Sequence, residues 1–505
     1  MAAAVIAVMM LDLRSIVEHQ AASRSGRSAH IGGLSVHWAS PIVLRISEFR
    51  LGNTVGGQAP DYVRFTSLMV EIEPWPLLRG ELRLRRLVLD RPVIALERDG
   101  NHIGNWKLHP GADAGPEPPR RAELPYIADL ALRDGEITYR TSNGAILHIR
   151  LKDMRLTAPA VDAPATIVAD GSYNDVALRM DLRTQPYAVL WQTSVPFGFS
   201  LEIRTADTEL AFHGTATAPL DFDGLDGELR IVSARLDDWM SIFGAPDAIP
   251  IRIRLGGKFE KNADHWRLPQ AAGQLAGSDF SGLLALDEGA SGNPDHFTFR
   301  LGFAPMDIRH LVELATAPPG TTTRPTYLHV EEHPGETYDV HIDARQARYG
   351  DIRLGDLRLA AALAPARLTV SELAMRVAGG EFRATASAVP AGRGSRTVLD
   401  ASLAGADASA LLGLVGSDAA TLSGRLEAAA TIAMTGDTVD DALRASNGQV
   451  VVGITQGRIS RGLVEQASIN LGQLFGGASG STALICLLGV ASLRDGLLSV
   501  APMRL

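Results

Sequence analysis

The chain has 505 residues, of which 46% are hydrophobic and 21% are charged, and its formal net charge is −9 at pH 7. This acidic balance offers no basic field that would attract nucleic acid, so a nucleic-acid partner is not expected. The single cysteine, Cys486, excludes an intramolecular disulfide framework and any metal site built from several cysteines. The length fits roughly two to four ordinary domains, or one elongated body made of repeated units.

The N-terminus carries an apolar run. A helix that spans a bilayer needs about 20 apolar residues, and this run is roughly half as long. Three interpretations compete: part of a membrane helix that begins upstream, the apolar region of a secretory signal, or a helix buried in the body. The signal interpretation lacks a basic segment before the run and a small-residue cleavage site after it. We therefore expect an incomplete membrane anchor at 1–13, carried by Ala4, Val5, Ile6, Val8, Met9, Met10 and Leu11.

From about Leu34 onward, apolar and polar residues alternate with a period of two, which is typical of half-buried strands. Turn signals rich in Gly and Asp separate these runs, so antiparallel hairpins and meanders are the expected connections. The sequence predicts a mainly β fold whose strands each have one apolar face. The side chains expected on that face are Leu147, Ile149, Leu151, Leu357, Leu359, Leu363, Leu426, Ala428, Ala430, Ile432, Met434, Val450, Val452 and Ile454.

Helices are expected to be few and short. Three segments place an aspartate where it can accept the first free backbone amides of a helix, followed by apolar residues three or four positions apart. We interpret these segments, which cover 236–243, 306–312 and 406–412, as a degenerate internal repeat. A further helix is expected from Asp437 or Thr438 to Ser446, and another over 461–474.

These patterns, together with a proline-rich stretch, predict five regions along the chain. They are the anchor at 1–13, an N-terminal β region at 14–109, an exposed linker or loop at 110–125, central β-groove repeats at 126–400, and a C-terminal β region with short helices at 401–505.

Motifs spread over most of the chain resemble the AsmA family of bacterial envelope proteins, whose relatives include TamB and the YhdP type. In the first third these are Gly26-Arg27, Ile31-Gly32-Gly33, Gly52-Asn53, Trp75 to Gly80, Leu87 to Pro92, Asp99-Gly100 and Asn105-Trp106. Further along they are Gly273 to Gly282, Leu422 to Leu426, Ser446 to Gly448 and Gln456 to Ile459.

The resemblance implies one N-terminal inner-membrane helix and a periplasmic body of elongated, curved, mostly antiparallel sheet with short capping helices. In such relatives the sheet forms a groove with an apolar interior, associated with carrying phospholipid acyl chains between membranes or supporting outer-membrane assembly. The expected partners are therefore phospholipid or another acyl lipid, the inner membrane and outer-membrane assembly proteins. The anchor is shorter than the family's, and the sequence stops at Leu505 within a strand-like pattern, which indicates either a clipped sequence or a short member of the family.

Physical chemistry bears on the groove independently of the resemblance. A strand with one apolar face must cover that face, and few helices are expected here to do so. An uncovered trough is costly in water, at roughly 25 cal/mol per Å² of apolar surface, unless lipid occupies it. Ordinary β-sandwiches would show the same alternation, so the pattern alone leaves groove and sandwich open. The resemblance favours the groove.

Several smaller features admit two interpretations each. Arg79, Arg83, Arg85 and Arg86 are either contacts for lipid headgroup phosphates or solvated strand faces. His329 and His333, with His341 nearby, are either a weak surface metal site or solvated edge residues. The glycine-rich run 472–480 lacks the Lys-Ser/Thr of a phosphate-binding loop and favours a connector.

No catalytic constellation stands out, and Cys486 lies in an apolar run that predicts a buried small hydrophobe. We therefore expect a protein that is not an enzyme and that has no catalytic residue, metal or cofactor. The leading hypothesis is an inner-membrane-anchored periplasmic protein that binds or transports lipid. The alternative is an envelope assembly scaffold or regulator that acts through protein contacts.

Overall fold

The computed structural model describes residues 13–99, 104–106, 125–140, 146–234, 252–289, 293–309, 330–414, 422–460 and 481–500. The described strands form a large, mostly antiparallel sheet accompanied by a few short helices, so the predicted mainly β fold is confirmed. The chain divides into two compact units. We call Met1–Leu268 with Glu288–Asn293 the N-terminal unit, and Pro269–Asp287 with 294–505 the C-terminal unit.

Strands of the N-terminal unit are β1 (Ala29–His37), β2 (Ile42–Gly52), β3 (Asp61–Ile72), β4 (Arg83–Asp90), β5 (Val93–Glu97), β6 (Tyr126–Ile127), β7 (Asp129–Arg140), β8 (Ile146–Thr157), β9 (Ala165–Tyr173), β10 (Val176–Thr184), β11 (Phe197–Arg204), β12 (Thr208–Ala218), β13 (Asp223–Ser233) and β14 (Ile253–Asn262). Strands β7 to β14 pair antiparallel in chain order. Parallel pairing occurs where β7 lies beside β4 and β5.

Strand β15 (His265–Leu275) contains the division between the units. The C-terminal unit continues with β16 (Ser278–Asp287), β17 (Asp295–Phe303), β18 (Met306–Asp307), β19 (Glu336–Tyr349), β20 (Ile352–Ala364), β21 (Arg367–Val377), β22 (Gly380–Ala391), β23 (Gly394–Asp407), β24 (Leu422–Gly436), β25 (Asn447–Ser460), β26 (Ser481–Arg494) and β27 (Leu497–Val500). From β19 to β27 every consecutive pair is antiparallel, whereas β17 and β18 pair with β19 in parallel.

The described helices are α1 (Leu13–Ser25), α2 (Pro74–Leu77), α3 (Tyr187–Leu190), α4 (Ala408–Leu414) and α5 (Val439–Arg444). Among the residues that the structure describes, no helix combines the length and the apolar character needed to cross a membrane. The predicted anchor residues, 4–11, lie outside the described residues, as does most of the predicted linker at 110–125.

The predicted aspartate cap is confirmed at the start of α4. The Asp407 carboxylate accepts from the Ser409 and Ala410 amides at 2.8 and 3.1 Å, which satisfies two of the free donors of the first turn. The Ser409 hydroxyl donates to the same carboxylate at 2.6 Å, and this bond together with the two amide bonds holds the pKa of Asp407 below its usual range. Helix α5 is shorter than predicted and begins after Thr438, whose hydroxyl accepts from the Asp441 amide.

The other predicted helices have different outcomes. At 306–312 the chain first forms β18, which pairs with β19, and a helical turn starts only after Asp307. The strand forms because Met306 and Asp307 find ladder partners there, a tertiary contact that local periodicity does not contain. The segments 236–243 and 461–474 lie outside the described residues.

Candidate functional site

Strand β24 shows most clearly how one face of the C-terminal unit is apolar. Ala428 and Ala430 are half-buried, whereas Glu427 and Thr431 are exposed on the opposite face. Because successive side chains of a strand point to opposite sides of the sheet, the apolar residues of β24 share one surface. Leu426, Ile432 and Met434 follow the same alternation.

Cross-strand pairing joins the apolar residues of β24 and β25 into one surface. Residues directly opposite each other in an antiparallel pair lie on the same face, with Cβ atoms about 4.5–5.5 Å apart. The pairs are Leu426 with Ile454, Ala428 with Val452, and Ala430 with Val450.

This surface continues from strand to strand across the C-terminal unit. One row of directly paired residues comprises Leu284, Phe299, Val340, Ala361, Val370, Ala386, Leu399, Ile432, Gly448 and Leu493. The adjacent row comprises Gly282, Leu301, Ile342, Leu359, Leu373, Ala384, Ala401, Ala430, Val450 and Ala491. Leu357 and Leu363 lie two and four positions from Leu359 on β20 and share its face. We call this surface the C-terminal apolar face.

Helix α4 covers one end of the C-terminal apolar face. There Ile454 is only 2% exposed and packs with Ala408, the first residue of α4, and with Leu484. Val450 and Val452 lie on the same strand and the same face, yet both remain half-buried. A closed core would bury such aliphatic side chains completely, so this part of the face is open.

The N-terminal unit has an apolar face of the same kind. On β8, Leu147 is buried and Ile149 and Leu151 are half-buried, whereas His148 and Arg150 are exposed. A row of directly paired residues extends this face across the unit through Val36, Leu44, Val70, Leu87, Leu130, Leu156, Ile167, Leu182, Leu201, Phe212 and Leu229. We call this surface the N-terminal apolar face.

Aromatic rings line one part of the N-terminal apolar face. The Phe212 ring lies 5.1 Å from that of Phe199 and 6.0 Å from that of Phe259, measured between centroids. It also lies over the directly paired Gly214 and Gly227, where an added Cβ would come within 2.7 and 2.8 Å of the ring. The absence of a Cβ at the two glycines therefore leaves the space that the ring occupies beside the backbone.

A second aromatic group lies where β6 begins and where β8 and β10 end. The Tyr126 and Tyr187 rings meet edge to face at 5.5 Å, and Trp191 lies 6.2 Å from Tyr187. The Tyr126 hydroxyl donates to the Ala158 carbonyl at 2.5 Å, and burial raises the pKa of Tyr187. Sequence reasoning missed this group because its members are far apart in the chain and only the strand pairing brings them together.

Several of the motifs quoted for the family resemblance meet in a buried polar cluster. The Asn105 side-chain amide donates to the Asn53 side-chain oxygen at 3.0 Å and to the Ala95 carbonyl at 2.8 Å. Arg27 donates to the Asn105 carbonyl, and its guanidinium carbon lies 4.6 Å from the Tyr62 ring centroid. Burial lowers the pKa of Arg27 and raises that of Tyr62. These contacts link the residues just before β1 and just after β2 to β3 and β5.

The four arginines proposed as headgroup contacts lie at or near the start of β4. Arg79 and Arg85 are exposed, while Arg83 and Arg86 are half-buried. The Arg83 guanidinium forms an ion pair with Glu81 at 2.9 Å. The structure therefore leaves Arg79 and Arg85 with their charges turned to solvent.

The structure describes the candidate metal site only in part. Among the described residues, no three His, Cys, Asp or Glu side chains come together in a way that could hold a metal ion. His341 is exposed on β19 beside Asp339, whereas His329 and the glycine-rich run 472–480 lie outside the described residues.

The prediction for Cys486 was wrong, because its side chain is exposed. It pairs with the exposed Thr455, whereas its neighbour Leu487 pairs with the buried Ile454 and is half-buried. An uninterrupted apolar run does not reveal which of its residues point away from the covered face.

A cleft of about 670 Å³ opens on the polar face of the N-terminal unit between β7 and β11. Its lining includes Arg150 and Arg179. Arg150 lies 2.8 Å from a carboxylate oxygen of Asp175, and Arg179 lies 3.3 Å from one of Asp170. Because carboxylates already neutralise these cations, the cleft does not have the character of an anion site.

A scan against protein-family models, a search of curated proteins and a search of solved structures each found no match. The resemblance to the AsmA family therefore stays a prediction made from the sequence.

Proposed function

We propose that this protein holds lipid acyl chains against its apolar sheet faces and carries phospholipid or another acyl lipid within the bacterial envelope. The observation that carries the proposal is the incomplete burial of the C-terminal apolar face between β16 and β26. Aliphatic side chains are paired from strand to strand there, yet residues such as Val450 and Val452 keep part of their surface accessible.

The energetics favour an apolar ligand on this surface. Each square ångström of apolar surface removed from water contributes roughly 25 cal/mol, so a face several strands wide gains substantially when acyl chains cover it. The opposite face is charged, as the Arg358–Glu372 and Arg383–Glu381 ion pairs illustrate. Two faces so different in character fit a curved sheet with a lipid-lined groove on one side and water on the other.

The proposed cellular setting follows the family resemblance. The protein would be held at the inner membrane by a single N-terminal helix that includes residues 4–11, with its body in the periplasm. Its activity would be non-catalytic and would support outer-membrane biogenesis by moving phospholipid.

Lipid mass spectrometry with a matched pair of variants tests this function. Ala430 lies on the C-terminal apolar face and Ala429 lies on the opposite, exposed face of the same strand. A carboxylate at 430 would face the acyl chains without a hydrogen-bonding partner, so we expect Ala430→Asp to lower co-purifying lipid by about tenfold or more. Ala429→Asp should retain lipid as the unchanged chain does. A lipid-free and monodisperse unchanged chain would count against the groove.

A second candidate function, an assembly scaffold, is favoured by the strand edge at β27. Leu497, Leu498 and Val500 are exposed there, and β27 pairs with β26 alone among the described strands. An exposed apolar edge is a template for adding a strand from another protein. Protein adducts, rather than lipid adducts, from crosslinkers on the apolar face would favour this function.

A further inference from the structure

One end of the first strands of the N-terminal unit carries large apolar side chains that point into solvent. Trp75 is 74% exposed and Leu78 is 79% exposed, in the connection between β3 and β4. Leu77 and Leu82 in the same connection are also exposed. Exposed apolar residues are unremarkable singly, but a contiguous group of this size marks an interaction surface.

The turn between β1 and β2 brings another tryptophan to the same end. Val43 of β2 pairs with His37 on one side and with Glu71 on the other, so the chain leaves β1 and β3 at the same end of the sheet. Trp38, exposed at the start of that turn, therefore lies about two strand spacings, or roughly 10 Å, from the β3–β4 connection. We call the exposed residues Trp38, Trp75, Leu77, Leu78 and Leu82 the apolar tip.

The connection that carries most of the apolar tip is ordered by its own backbone. The Leu78 amide donates to the Pro74 carbonyl, the Arg79 amide to that of Pro76, and the Gly80 amide to that of Leu77. Gly80 has a φ of +81°, which glycine adopts without steric cost and which turns the chain back toward β4. The outward direction of the apolar side chains is thus fixed before any partner binds, and binding costs little conformational entropy.

Charge around the apolar tip is opposite in sign to that of the whole chain. Between Glu73 and Arg86 the sequence has four arginines against two glutamates, whereas the net charge of the protein is −9. Arg79 and Arg85 are exposed beside the apolar tip. Tryptophan and leucine flanked by arginine suit the interface of an anionic bilayer, where the indole lies at headgroup depth and the guanidinium pairs with phosphate.

The position of helix α1 is a further observation on the N-terminal unit. The Ile31 amide donates to the Glu18 carboxylate at 2.7 Å, which fastens the helix along β1. Since Ser25 precedes the start of β1 and Glu18 contacts Ile31, the helix folds back along this strand, with Leu13 at its far end. The apolar run 4–11 precedes that end in the sequence.

We propose that the apolar tip is a membrane-seating surface that inserts into the interface of an anionic phospholipid bilayer. Trp75 and Leu78 enter the boundary between headgroups and acyl chains, and Arg79 and Arg85 contact lipid phosphates. This surface holds the first strands of the N-terminal unit against the membrane, and it does not depend on whether the apolar faces carry lipid.

A site-specific fluorescent label tests the proposal. In the full chain with Cys486→Ser, an environment-sensitive dye is attached to Leu78→Cys or, as a control, to Val55→Cys. Val55 is fully exposed in the β2–β3 connection, at the opposite end of the strands. With vesicles of phosphatidylethanolamine and phosphatidylglycerol, we expect the dye at 78 to shift to shorter wavelength and to be quenched by doxyl-labelled lipid. The dye at 55 should not respond. Equal responses at both positions, or none at 78, would overturn the proposal.

Affinity measurements separate the apolar and electrostatic contributions. The double variant Trp75→Ser with Leu78→Ser should bind these vesicles about tenfold or more weakly, because two large side chains lose their burial, while Val55→Ser should bind as before. Arg79→Gln with Arg85→Gln should weaken binding to phosphatidylglycerol vesicles but not to phosphatidylcholine vesicles. Residues 4–11 are the same in all variants and contribute equally.

Unchanged affinity in the Trp75/Leu78 double variant would contradict the proposal. Ala430→Asp, which tests lipid in the groove, should leave these results unchanged.

Discussion

Strand β25 places similar side chains in two different environments on a single face. Ile454 is sealed under helix α4, whereas Val450 and Val452 on the same face remain partly accessible. Val450, Val452 and Ile454 are aliphatic residues spaced two positions apart, so this spacing specifies a face but not what covers it. Where the chain supplies a helix the face becomes a core, and where it does not the face is available to a ligand.

The largest expected effect that would break this comparison is the difference in stability between substitutions at two neighbouring positions of this face. We expect Ile454→Ala to lower the free energy of unfolding by about 2–5 kcal/mol, because it leaves a cavity under α4. Val452→Ala should cost markedly less, since its side chain already contacts solvent. Urea-dependent pulse proteolysis of the purified chain measures both. Equal costs at the two positions would show that the whole face is covered.

A smaller expected effect sharpens the comparison and concerns helix α4, which covers Ile454. Asp407→Ala removes the cap of α4 and should destabilise the covered end by about 1 kcal/mol. Because the pKa of Asp407 is lowered in the folded chain, the ionised carboxylate stabilises α4 above the unfolded pKa of about 3.9. That contribution is lost as pH falls through the lower folded pKa. Hydrogen exchange of the Ser409 and Ala410 amides, followed over the pH range between the unfolded and the folded pKa of Asp407, measures this loss of helix stability. The Asp407→Ala variant should show no such pH dependence.

Much of the fold could be predicted from local sequence. Period-two alternation correctly indicated strands such as β8, β20, β24 and β25, and the aspartate followed by spaced apolar residues correctly indicated α4. The prediction for Cys486 failed because an apolar run on a strand can have a covered side and an exposed side that look alike in sequence.

The candidate site was predictable only in part. The face shared by Leu426, Ala428 and Ala430 follows from alternation, because side-chain direction along a strand is a local property. Its width across ten strands does not, since it depends on registers and bulges between segments far apart in the chain. The apolar tip also could not be predicted from local sequence. Trp38 and Trp75 belong to different turns, and only the pairing of β1, β2 and β3 brings these turns to the same end of the sheet.

Photo-crosslinking from neighbouring alanines of β20 tests the central claim most directly. Ala361 lies in the paired row of the C-terminal apolar face, and exposed Ala362 faces the other way. With a benzophenone amino acid at each position in turn, in cells, we predict phospholipid adducts from 361 and none from 362. Protein adducts without lipid at 361, or the same lipid yield at both positions, would contradict the account.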